Sequence, residues 1–259
     1  MATKTYNTEK DGSYIYGIIN CDHRQEFGPI GIGERGDIVY TLPYQNVAAI
    51  VSRSPIVKYA VTRANSMAHA KVLEQAMGEY TILPVRFCTI AEEEEIIVGK
   101  VLKARYQEFS TLIKKMEGKM ELGVRARWTN LPAIFAEVVE ENKEIKATKE
   151  ALIHEKNEQK QYAGKIKIGQ MVQNALEQKK KKEAKELLEE LKPLSMGYKE
   201  NQFYGDMNLI NAAFLVTKER EKDFDEKMQE LEIAYGERKQ LRYIGPVVPY
   251  NFVEIVVNW

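Results

Sequence analysis

Three glycines in the stretch GIGERG, Gly31, Gly33 and Gly36, fit the G-x-G-x-x-G outline of a dinucleotide-binding loop. That chemistry needs a strand before the loop and a helix after it. Only then does a helix N-terminus meet the pyrophosphate with free N–H groups and a positive dipole end. Here the next residues, DIVYTL, read as a strand, with Ile38, Tyr40 and Leu42 alternating, and Pro43 is expected to close it early. The glycines are therefore assigned to positive-φ positions in a tight loop entering a hairpin.

The other reactive residue types are scattered. His23, His69 and His154 fall in a loop, a helix and a long helix, none at zinc-ligand spacing. His69 is expected to pack or cap locally. Cys21 and Cys88 are far apart and form no C-x-x-C pair, which predicts a reduced, cytoplasmic setting. Cys88 follows PVRF in a strand, where a cysteine reads as a small core residue. The run Glu92–Glu95 reads as a solvated helix start, where negative charge suits the macrodipole. The run Lys179–Lys182 is followed by Glu183, Glu186, Glu189 and Glu190 and reads as a self-compensated face. No metal, no cofactor and no catalytic residue is implied, so the chain is not read as an enzyme.

Arg86 stands out, because a charge amid TILPVRFCTI must pair or face a surface. It reads either as an ion pair at a sheet edge or as a contact to a partner. The closing RYIGPVVPYNFVEIVV has two readings as well: a central strand feeding the core, or a rigid aromatic surface for protein binding.

Composition narrows the class. The 259 residues suffice for one large domain or two ordinary ones, and 44% hydrophobic with 29% charged residues is a globular balance. Lys+Arg and Asp+Glu both number 38, which argues against a nucleic-acid partner held by bulk charge. The same balance gives little colloidal repulsion, so self-association or a standing protein partner is expected. No apolar run approaches the ~20 residues that cross a bilayer, and no membrane partner is expected. The polar opening MATKTYNTEKDGS predicts no secretory signal.

The elements that must position these residues alternate. YIYGIIN reads as a strand, DIVYTL and PYQNVAAIVS as a hairpin, and RANSMAHAKVLEQAMG as a helix capped by Asn65 or Ser66 and stopped by Gly78. Its apolar face is expected at Met67, Ala70, Leu73, Ala76 and Met77. YTILPVRFCTI is a strand whose Pro84 predicts a bulge or an edge, and AEEEE through KKMEG reads as one helix. The pattern resets at Gly118–Gly123, giving domains 1–118 and 119–259. In the second, charged helices with a half-formed coiled-coil seam over about 130–192 suggest a helical hairpin. The expected fold is α+β, two small mostly antiparallel sheets with helices on one face, variants of a ferredoxin-like design.

Four segments in order carry a resemblance. YIYGII is a Tyr-rich opening strand. The α-helical NSMAHA holds Asn65, His69 and Ala70. LPVRF holds Leu83, Pro84, Arg86 and Phe87, and GPVVPYNF holds Gly245, Pro246, Pro249, Tyr250 and Phe252. Together they resemble the gas vesicle protein L/F family over about residues 14 to 256. Two departures stand out: Cys88 where the family often has glycine, and Val247 where it often has tryptophan. The resemblance implies an accessory or minor structural protein of gas vesicle assembly, serving buoyancy. Its partners would be the apolar main wall protein and other accessory proteins, at the shell and in the cytoplasm. Asn65, His69, Arg86, Phe87, Gly245, Pro246, Pro249, Tyr250 and Phe252 become candidate partner-contact or motif residues. The competing reading is a ferredoxin-like ligand-binding protein or enzyme, which would show a polar cleft around His69 and Arg86.

Overall fold

The computed structural model describes residues 10–259. Residues 1–9, which open the segment read as lacking a signal, lie outside them. The order is β1 (Asp11–Ile19), β2 (Glu26–Gly28), β3 (Val39–Tyr44), β4 (Val47–Pro55), α1 (Arg63–Met77), β5 (Ile82–Ala91), α2 (Glu94–Ile96), a π-helical segment (Ile97–Lys103) and α3 (Tyr106–Met116). Then follow β6 (Lys119–Trp128), α4 (Leu131–Glu141), α5 (Lys143–Ile153), α6 (Glu158–Leu191), β7 (Gly197–Glu200), β8 (Asn208–Thr217), α7 (Glu221–Tyr235) and β9 (Lys239–Val247). The fold is α+β, with two antiparallel sheets and one long helix.

Contacts group the chain into two units. One holds the residues up to Glu121 together with Pro246–Trp259; the other is Leu122–Gly245. The boundary read at 118 kept the C-terminal segment with the second half, whereas here that segment packs in the first unit.

The first unit carries a five-stranded sheet in the order β2-β3-β4-β1-β5. β1 is buried along its length after Asp11, as suits a strand between two partners. The β3–β4 hairpin turns at Gln45, with Tyr44 opposite Val47. Pro43 does not end β3 early; it pairs with Ala48 inside the strand. Upstream, Gly33 and Gly36 have φ of 89° and 75°, as a tight loop requires. Gly31 has a different reason: a Cβ there would meet the Asp37 carbonyl at 2.9 Å. The expected single helix after Glu92 is three segments. Buried Ile97, Val101 and Leu102 lie on the π-helical stretch, whose wider turn shifts the buried face.

The second unit carries a four-stranded sheet in the order β7-β8-β6-β9. Asn130 caps α4 as expected, its side chain accepting from Ala133 N–H at 3.1 Å. A second cap at Asn142, accepting from Glu144 and Ile145, divides the first arm helix into α4 and α5. α6 has 34 residues, roughly 50 Å at 1.5 Å per residue. Its buried residues, Leu176, Glu183, Leu187, Leu188 and Leu191, all lie in its C-terminal half. Near its start the contact is tight, since a Cβ on Gly164 would collide with Leu152 of α5. Among the described residues, no helix is long and apolar enough to cross a membrane.

Candidate functional site

Most of the motif residues gather around an irregularity in β5. Ile15 pairs with Thr89 and Gly17 with Pro84, so Val85, Arg86, Phe87 and Cys88 bulge opposite Tyr16 alone. Pro84 cannot donate to the ladder, and the strand leaves its register directly after it. The bulge closes at Cys88, whose φ of 64° is the left-handed region. Cys88 is thus no ordinary core residue. Its N–H is held by the Tyr14 hydroxyl at 2.9 Å, and its Sγ accepts from the Tyr59 N–H at 3.2 Å.

α1 supplies the other side. It is capped by Thr62 rather than by Asn65 or Ser66, the Thr62 hydroxyl accepting from Asn65 N–H at 3.2 Å. Asn65 instead donates from Nδ2 to the Ala60 carbonyl at 2.9 Å, tying the preceding loop to the helix. The buried face of α1 is His69, Val72, Leu73 and Ala76, while Met67 is exposed. His69 packs against Tyr16 and Phe87 with ring centroids 5.6 and 5.7 Å away. Its Nδ1 is 3.0 Å from the Tyr14 hydroxyl. Assigning the Tyr14 proton to Nδ1 completes a chain from the Cys88 amide through Tyr14 to a neutral imidazole. Burial pushes the His69 pKa down to about 4 and that of Tyr16 up to about 12, so these groups stay uncharged at neutral pH.

Arg86 points elsewhere. Its guanidinium is 57% exposed and pairs with Glu254 at 3.0 Å. That ion pair caps a backbone bridge: Arg86 N–H donates to Ile255 O at 2.9 Å, and Ile255 N–H to Pro84 O at 2.8 Å. The C-terminal segment therefore docks on the bulge. Asn251 adds two bonds to buried Glu121, at 2.8 and 2.6 Å, and Arg105 donates to Val256 O at 2.8 Å.

The closing motif is not a central strand throughout. β9 is an edge strand ending at Val247. Gly245 sits in it with φ of 137°, and Pro246 beside it is exposed. Beyond them the chain turns, the Pro249 carbonyl accepting from Phe252 and Val253 N–H, each at 3.0 Å. Pro249 is buried, Phe252 half-buried and Tyr250 39% exposed, with its hydroxyl driven up to about 12 by burial and then by Glu74 and Glu121. His69 and Arg86 do not converge on a cleft: one is enclosed among rings, the other ion-paired at the surface.

The order of these parts along the chain matches a known family. The model of the gas vesicle synthesis proteins GvpL/GvpF matches residues 12–254. The chain belongs to that family. It is 27% identical to gas vesicle protein F of Nostoc sp. (strain PCC 7120 / SAG 25.82 / UTEX 2576), covering 94% of this chain and 98% of that protein. It is 25% identical to gas vesicle protein F of Haloferax mediterranei, with 96% of each covered. The crystal structure of GvpF from Anabaena sp. PCC7120 superposes with a TM-score of 0.81 at 26% identity, over 95% of this chain and 99% of that one. That of GvpF from Microcystis aeruginosa has a TM-score of 0.75 at 23% identity, over 93% and 98%, and shares the fold. Membership of the GvpL/GvpF family supports a role in gas vesicle assembly.

Sequence reading missed Tyr14, Tyr59, Glu254 and Glu121. Tyr14 was legible as part of an aromatic alternation in β1. Nothing local marked Glu254, which lies 168 residues from its partner.

Proposed function

We propose that this GvpL/GvpF member acts in gas vesicle assembly by binding the apolar main wall protein, either to place it during nucleation or to keep it from aggregating. It serves buoyancy as a non-enzymatic assembly factor or minor structural component, working with other gas vesicle accessory proteins at the shell and in the cytoplasm. A very apolar wall subunit left free would aggregate, and a partner that covers its surface removes that hazard. The observation that carries the reading is the family match over residues 12–254.

The first unit supports it with exposed apolar side chains on the segment that the motif residues hold in place. Val61 is 82% exposed and Met67 59%, on the loop and helix pinned by Asn65 and by the Cys88–Tyr59 bond. Arg86, Phe87, Tyr250 and Phe252 are candidate contacts, while Asn65, His69 and Pro249 position the surface. Gly245 and Pro246 mark where the chain passes from one unit to the other.

Two experiments test the proposal. Tyr250→Ser with Phe252→Ser should weaken capture of the wall protein while the melting curve stays cooperative; a folded variant that binds normally removes these residues as anchors. Turbidity before and after a pressure pulse, in cells with and without this gene and lacking a second family copy, tests the role itself. Loss of the pressure-sensitive signal on deletion, restored by re-expression, is expected; an unchanged signal overturns an essential assembly role.

A further inference from the structure

The exposed side of β6 and β9 carries three arginines. Along β6, Val124, Ala126 and Trp128 are buried, while Arg125 and Arg127 between them are exposed. Gln240, Arg242 and Ile244 alternate to the exposed side of β9. Arg125 donates from Nε to Asn211 Oδ1 at 3.1 Å, and Arg127 from Nε to Gln240 Oε1 at 2.8 Å. Both partners are neutral amides. They orient the guanidinium groups without cancelling their charge. Among the described residues, no carboxylate is ion-paired to Arg125, Arg127 or Arg242. By contrast, Lys179 pairs with Glu137 and Glu141, Arg238 with Glu137 and Glu183, and Lys239 with Glu183. The three arginines line a shallow hollow of about 200 Å³ with Ala126, Asn208 and Gln240.

We propose that this arginine face of the β6–β9 sheet binds an extended acidic segment of a partner protein. Arg125 and Arg127 project from one side of a strand two residues apart, ~6.8 Å at the usual strand rise. An extended chain with carboxylates at alternate positions presents the same spacing, and each guanidinium fork fits a carboxylate in two-point fashion. Arg242 on the neighbouring strand widens the charged strip. Exposed Ile244, 47% accessible, offers an apolar contact beside it.

The same observations disfavour other anions. The hollow is lined by strand residues, with no helix N-terminus or glycine-rich loop among them to cradle a phosphate. No aromatic ring is among the lining residues. Tyr198 stacks on Phe214 and Tyr243 on Phe224, so those rings are not offered to nucleobases. Carboxylates on a protein chain are what the charge and spacing complement. This inference does not rest on wall-protein binding through the first unit.

The experiment uses the purified full chain and a fluorescein-labelled peptide alternating Glu and Thr, read by anisotropy. The Glu peptide is expected to bind and a Gln-for-Glu peptide to fail. Arg125→Gln with Arg127→Gln should weaken binding at least about tenfold, as for close charge pairs across an interface. Arg242→Gln alone should weaken it less. Lys181→Gln with Lys182→Gln should leave it unchanged. Melting curves should be shared by all variants, since the substituted side chains are exposed. Equal binding by the Gln peptide, retention in the arginine double variant, or equal loss in the lysine variant overturns the proposal. Tighter binding of oligothymidylate through the same arginines overturns it in favour of a nucleic-acid face.

Discussion

Two buried polar networks, one in each unit, are built in opposite ways. In the first, His69, Tyr14, Tyr16 and Ser52 are enclosed as neutral groups that share hydrogen bonds, such as the 2.8 Å contact between the Tyr16 and Ser52 hydroxyls. In the second, Glu183 is enclosed as a carboxylate. It accepts from Trp128 Nε1 at 2.9 Å, Arg238 at 2.6 Å and Lys239 at 3.1 Å, and Arg238 also reaches Glu137. A neutral network costs little to desolvate but fails when one member must charge. An ionised network fails when one member is removed or neutralised. The two networks should therefore respond to different perturbations and weaken in different pH ranges.

The largest effect is expected at Glu183. Glu183→Ala leaves Lys239 and Arg238 without their buried partner and the Trp128 indole without an acceptor. A loss of about 3–5 kcal/mol is typical of breaking a buried pair from one side. Denaturant unfolding followed by the emission of buried Trp128 checks it. A loss below about 1 kcal/mol would mean the cluster is hydrated and the contrast between units is false.

Acid should separate the units next. The His69 pKa is held down near 4 against an ordinary 6.5. Its contribution is whole above 6.5 and fades as pH falls toward 4, by up to about 3 kcal/mol at 1.36 kcal/mol per unit. Burial opposes ionisation of Glu183, but its bonds from Trp128, Lys239 and Arg238 outweigh that and hold its carboxyl low. Its contribution is whole above the unfolded carboxylate range and is lost only on further acidification. Between pH 6.5 and 4.5 the first unit should weaken while Trp128 emission in the second holds. His69→Gln should flatten that slope, and an unchanged slope would assign it to another group.

Cys88 sharpens the picture of the bulge. Cys88→Val places a β-branched residue at a φ of 64° and removes the acceptor for Tyr59 N–H; about 2 kcal/mol should be lost. Cys88→Gly relieves the backbone while losing the same acceptor, so it should stay within about 1 kcal/mol. Thermal melts compare the two, and equal losses would place the cost in the thiol contact rather than the backbone. The smallest effect belongs to Arg86. Its pair with Glu254 is solvent-exposed, so Arg86→Ala should leave the melting temperature where it was. A clear drop would make Arg86 a fastener of the C-terminal segment rather than a candidate contact.

Much of this was written locally in the chain. Pro84 announced the bulge because it cannot donate to a ladder, and Asn130 announced a helix start. The glycine loop is followed by a strand, so no helix N-terminus is there to meet a pyrophosphate. Cys88 stands where the resembled family often has glycine, and its positive φ gives that departure a physical meaning. The α1 cap falls at Thr62, not at Asn65 or Ser66, and of the expected apolar face Leu73 and Ala76 are buried while Met67 is exposed and His69 turns inward. Only the aromatic cage around His69 makes the polar residue the inward one.

The sequence alone determined the α+β class, the family, the charge balance and most element starts. Those follow from local backbone preferences and from the order of short motifs. The tertiary structure decided which polar groups are buried neutral and which ionised, that Glu254 meets Arg86, and that Arg125, Arg127 and Arg242 line one hollow. Each of those depends on residues far apart in the chain being brought to one place. A side chain's charge state and partners are set by that surrounding space, which spacing along the chain does not encode.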